Sequence, residues 1–195
     1  LQTKAGYRLV VSQQPEFVAT NPRPAAPVAK KPGELRIASF NVLNYFNGNG
    51  QGGGFPTARG ANDLVEFERQ KAKILAALAA LDATVIGLME IENDGFSTNS
   101  AIADLVRGLR QESGQSDWQF VSANTPVIGT DEITVGMLYR ADLVTPVTAA
   151  QVLDASNSAR DENGAVLFDT SRNRPMLAQR FQLLENNAEF AVMVN

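Results

Sequence analysis

Apolar and polar positions along the chain predict a β-α-β frame followed by a series of short strands. Residues 35–43 alternate as a strand, with Leu35, Ile37, Ser39 and Asn41 on one side. Residues 62–81 follow the helical period, with Leu64, Phe67, Ile74, Leu75, Leu78 and Leu81 forming an apolar stripe. Glu66, Glu68, Arg69, Lys71 and Lys73 take most of the polar side, and Asn62 or Asp63 supplies a cap. Residues 84–90 then have the aliphatic density of a strand buried on both faces. A crossover of this kind makes the two strands parallel and brings their carboxyl ends to one sheet edge. Asn41 and Glu90 both fall at that edge, where open sheets flanked by helices commonly place their sites.

Later segments are shorter. Residues 100–111 read as a second helix, with 97–99 available as caps, and 118–122, 133–139 and 143–147 read as strands. Residues 155–174 are polar and irregular, and 176–184 with 190–194 predict an antiparallel hairpin. Upstream, 1–20 read as one or two strands with too few residues for a core, suggesting the tail of a β-rich domain. Pro22, Pro24, Pro27 and Pro32 mark 21–33 as a semi-extended linker. The expected organisation is therefore 1–20, 21–33 and a domain over 34–195.

Chemistry enters at Glu90 and Glu92. Strict alternation puts both carboxylates on one face, at the rim of an apolar strand, where a charge is costly unless paired. A hard cation such as Mg²⁺ is one partner, and a salt bridge or solvation is the other. The Gly-rich loop 47–60 lacks the lysine that closes a nucleotide-binding loop and reads as a mobile surface loop at the rim of the site.

Composition narrows the chemistry. The chain has 195 residues, 44% hydrophobic and 19% charged, with a net charge of −4. No apolar run is long enough for a membrane-spanning helix. The absence of cysteine removes disulfides and thiolate metal sites, and the absence of histidine removes Ser-His-Asp, Cys-His and His-ligated zinc chemistry from these residues. Lys30-Lys31 is the only adjacent basic pair, so no basic stripe announces a nucleic-acid partner.

Four stretches in order carry a resemblance: 38–46 (ASFNVLNYF), Arg69-Gln70 with Lys73-Ile74, 86–93 (IGLMEIEN) and 135–140 (VGMLYR), with 173–181 (NRPMLAQRF) following. Together they resemble the endonuclease/exonuclease/phosphatase superfamily, and most of all the ExeM/NucH-type extracellular nucleases of bacteria. The resemblance implies an α+β fold, an αββα two-sheet sandwich of the DNase I-like kind, present here as a partial domain. It also implies hydrolysis of phosphodiesters in DNA or RNA with Mg²⁺, Mn²⁺ or Ca²⁺, by a secreted enzyme. Asn41 would position the scissile phosphate and the metal's water shell, and Glu90 would bind the metal. Asp131 and Arg174 are weaker substrate-binding candidates, Arg174 fitting a rim salt bridge better than a substrate phosphate, and Glu92 would support a neighbouring side chain.

The family's catalytic histidine, its Asp-x-Asn pair and its terminal Asp-His have no counterpart here. The chain also stops at Asn195 within an apolar alternation, so it reads as an amino-terminal half, inactive alone. Alternatives within the superfamily are sphingomyelinase-like or phosphatase chemistry. A non-catalytic binding module on the same fold is the third.

Overall fold

In the computed structural model, which describes all residues except Leu1, Lys4, Ala5, Arg8, Leu9, Ala19, 21–23, Ala25, Ala26 and Pro32, two β-sheets lie face to face with both helices outside the first. A two-residue hairpin, β1 (Gln2–Thr3) with β2 (Gly6–Tyr7), precedes it. Tyr7, Val10 and Val11 are exposed, and the strands expected over 1–20 lie partly outside the described residues. So does much of the Pro-rich linker.

The β-α-β frame is present. β3 (Ile37–Tyr45) runs parallel to β4 (Val85–Glu92), joined by α1 (Leu64–Ala80). Asp63 caps α1, accepting from the Glu66 N–H at 2.8 Å, while Glu66 accepts in return from the Asn62 N–H. These reciprocal bonds satisfy orphan donors of the first turn. α2 (Ala101–Ser113) is capped by Ser100 rather than 97–99, and Gly114 ends it in the left-handed conformation, φ 67°. β6 (Ile133–Arg140) pairs antiparallel with β4, and β5 (Trp118–Phe120) with β6, giving the order β3-β4-β6-β5.

The second sheet is antiparallel around β9 (Met176–Leu183). β10 (Glu189–Val194) pairs with one side, while β7 (Val144–Pro146) and β8 (Gln151–Leu153) share the other. β8 falls between the 143–147 strand and the irregular 155–174 segment, where no element is expected. Three residues paired only to one end of β9 leave too short a run for alternation to register.

Two cores result. Helix stripes and the outer face of sheet one bury Phe67, Leu78, Ile86, Leu88, Leu105 and Leu109. Between the sheets, Val85, Met137, Leu177, Phe181 and Val194 pack together. Gly87 allows this close approach, since a Cβ there would lie 3.2 Å from Val194. The arrangement is the expected α+β two-sheet sandwich, with three layers of the αββα order. Among the described residues no helix covers the outer face of the second sheet. That sheet packs mainly over β4 and β6, and the inward Ile37 of β3 remains 48% exposed beside the exposed Ser39 and Asn41. No helix among the described residues is long and apolar enough to cross a membrane.

Candidate active site

The two strands that carry Asn41 and Glu90 both break their regularity at the same level. Leu43 and Asn44 take φ values of 54° and 52°, and Glu90 takes 64°. Non-glycine residues adopt this left-handed region rarely, and it clusters at functional positions. The register pairs Asn41 with Met89 and then jumps to Tyr45 with Ile91, so both chains bulge between these pairs. Asn41 therefore stands opposite the residue immediately preceding Glu90, on strands about 4.8 Å apart.

Local bonds hold this geometry. Asn41 Oδ1 accepts from the Leu43 N–H at 2.8 Å, turning the chain within the bulge. Gln70 Nε2, from α1, donates to the Val42 and Leu43 carbonyls at 3.1 and 2.7 Å, satisfying groups that the bulge takes out of the ladder. Gln70 is part of the motif quoted above, yet only its distance from the strand in three dimensions reveals what it does. Glu90 is half-buried, and its carboxylate forms no hydrogen bond or ion pair with any described residue.

The bulge interrupts the alternation from which a common face for Glu90 and Glu92 is expected. Ile86 and Leu88 face the helices, and so does Ile91, which means the parity flips at Glu90. Glu92 separately accepts from the Asn47 N–H at 3.2 Å. Burial, with the nearby Asp94 charge adding to it, pushes its pKa up to about 7. Being raised above its unfolded value, this carboxyl stabilises the fold while protonated, and the contribution fades as pH rises from about 4.5 towards 7. In EDTA, Glu92→Gln is expected to flatten the fall in melting temperature between pH 5 and 8. An unchanged pH profile would refute this.

Asp131 lies between two arginines: Arg59 at 2.8 Å, from the Gly-rich loop, and Arg174 at 3.1 Å. Burial works against its charge, but the Arg174 hydrogen bonds and the Arg59 charge outweigh it and hold the carboxyl below its ordinary range. Arg174 thus makes the rim salt bridge considered from sequence. Asn93 pins the adjoining loop, donating to the Ile128 and Asp131 carbonyls and accepting from the Ile128 N–H, all at 3.0 Å.

The Gly-rich loop has more built-in contacts than its composition suggests. Asn49 Oδ1 accepts from the Gln51 and Gly53 N–H groups, and the Phe55 ring lies 5.8 Å from Phe67. Gly48, at φ 67°, sits so close to the Gly53 carbonyl that a Cβ would fall 2.0 Å from its oxygen. Here glycine serves close approach as well as freedom of motion.

No group of three or more His, Cys, Asp or Glu side chains suited to a metal occurs among the described residues. The donor set is therefore one unpaired carboxylate, Glu90, with the Asn41 amide beside it in the register. That fits Mg²⁺, which keeps much of its water and takes only one or two protein carboxylates, and it does not fit an all-protein cage.

No protein-family model matches the chain, and no curated protein matches it. Solved structures do. The human Nocturnin catalytic domain matches 82% of the chain at 13% identity with a TM-score of 0.43. An endonuclease/exonuclease/phosphatase from Bacteroides vulgatus matches 82% at 12% identity and 0.48, and a Bacteroides thetaiotaomicron mannosyl-6-phosphatase 82% at 12% and 0.43. The chain spans about half the length of each, 48%, 51% and 50% respectively.

Proposed function

We propose that this chain carries one half of the active site of a metal-dependent phosphodiesterase of the endonuclease/exonuclease/phosphatase kind, cleaving DNA or RNA outside the cell. The observation that supports it most is Glu90: a half-buried carboxylate without a described partner, held in left-handed backbone one register step from Asn41. A charge left in that position is costly unless a cation completes it. Glu90 would hold Mg²⁺ (or Mn²⁺ or Ca²⁺), which when bound neutralises phosphate charge. Asn41 would orient the phosphate, and Gln70 and the Asn41–Leu43 bond would keep that amide in place. The extracellular setting rests on the ExeM/NucH-like motifs, and the upstream β-rich domain and linker on the strand pattern of 1–20 and the prolines of 21–33.

Metal affinity tests the reading directly. Titrating the 195-residue chain with Mn²⁺, followed by electron paramagnetic resonance, is expected to show one site weakened at least about tenfold in Glu90→Gln, as loss of a charged ligand requires. Equal affinities would sink it.

A further inference from the structure

A cleft of about 530 Å³ opens between the β3 bulge and the amino-terminal half of α1, and Asn41 forms part of its wall. Three cations line it: Arg59 from the Gly-rich loop, and Arg69 and Lys73 from α1. Arg59 is engaged by Asp131, but that carboxylate is shared with Arg174, so the trio retains a positive charge. Arg69 and Lys73 are exposed, and neither makes a hydrogen bond or ion pair with a described residue. The single carboxylate in the wall, Glu66, is committed to the Asn62 backbone and side-chain N–H groups at 2.8 and 2.9 Å. In a chain of net charge −4, this is a local reversal of sign beside the candidate site.

We infer that this cleft binds the phosphates of a nucleic-acid strand flanking the one positioned at Asn41, with Arg69 and Lys73 as the residues that select a polymeric substrate over an isolated phosphate ester. The inference rests on the phosphodiesterase reading above. Four residues apart on one helix, the two cations stand one turn from each other, about 6 Å along the axis. That interval lets them address successive phosphates of an extended strand. Lone phosphate esters gain little from cations placed a residue's length beyond the reacting group, whereas a strand releases counterions at each contact.

The test is fluorescence anisotropy of a labelled twelve-nucleotide single-stranded DNA with the 195-residue chain, in EDTA, across a salt series. Wild type, Arg69→Gln/Lys73→Gln, Glu90→Gln and Arg180→Gln are compared, the last removing a cation from the second sheet. The double variant should bind at least about tenfold more weakly, with the salt slope reduced by about 1.4, or about 0.7 per lost phosphate contact. Its melting curve should match wild type, since both side chains are exposed. A change under twofold, or one no larger than that of Arg180→Gln, would overturn the inference. So would displacement of the strand by millimolar inorganic phosphate, which would mark a free-anion site. Glu90→Gln removes a negative charge beside the Asn41 phosphate position, so in EDTA it should bind DNA at least as tightly as wild type. The Mn²⁺ titration therefore fails or succeeds independently of the cleft.

Discussion

Asp104→Ala is expected to cost about 3 kcal/mol of stability and to lower the melting temperature by roughly 6–12 °C for a chain of this size. Asp104 is the acceptor at the centre of the α1–α2 contact. Its carboxylate receives the Tyr45 hydroxyl at 2.6 Å, the Lys71 ammonium at 2.9 Å and the Arg107 guanidinium at 3.3 Å. Tyr45 is fully buried, and burial, with the Asp104 charge adding to it, pushes its phenol far above the usual range. The hydroxyl is therefore always a donor and needs its acceptor. Deletion leaves that donor unmet, at about 1–3 kcal/mol, and leaves Lys71 without its counter-ion. Lys71 recovers part of the loss against the Phe67 ring, 5.5 Å away. Asp104→Asn, which keeps an acceptor for Tyr45, should fall between the two. A double-mutant cycle with Tyr45→Phe isolates the pair. A loss below about 0.5 kcal/mol in Asp104→Ala would show that the network contributes nothing net.

What the sequence reveals and what it hides divide along physical lines. The β-α-β frame was legible because α1 and β4 bury apolar side chains at fixed periods, and burial is what periodicity records. The edge location of Asn41 and Glu90 followed from chain direction alone. The double bulge did not, because Leu43 and Glu90 rarely take left-handed backbone, no glycine signals it, and the Gln70 and Asn41 bonds that hold the β3 side appear only in the folded chain. For the same reason simple alternation does not carry past Glu90. Asp131 meeting Arg59 and Arg174 is a tertiary event joining three loops, and no local spacing encodes it. The cleft cations were visible as the polar side of α1, which reads as a solvated face. Only the loop carrying Arg59, folded back towards Asn41, turns that face into a wall.

The 195-residue chain is expected to nick plasmid DNA no faster than its Glu90→Gln variant. It has no histidine, so the general-base contribution of about 10²–10⁴-fold is missing from its usual source. Of the groups the site reading requires, it offers one carboxylate and one amide, and such groups act as a unit, so partial sets yield little. The inward face of β3 is also open at Ile37, Ser39 and Asn41, which leaves the phosphate-facing side in water where electrostatic stabilisation is weak. In a longer polypeptide supplying histidine and covering that face, cleavage should appear with Mg²⁺, and Glu90→Gln should reduce kcat by about 10²-fold or more. The fold should survive, since Glu90 sits at the rim and contacts no described partner whose loss would unfold it. Activity of the longer Glu90→Gln protein within threefold of wild type at saturating Mg²⁺ would remove Glu90 from the chemistry. Nicking by the 195-residue chain clearly above its Glu90→Gln variant would show that these residues already contain a working site.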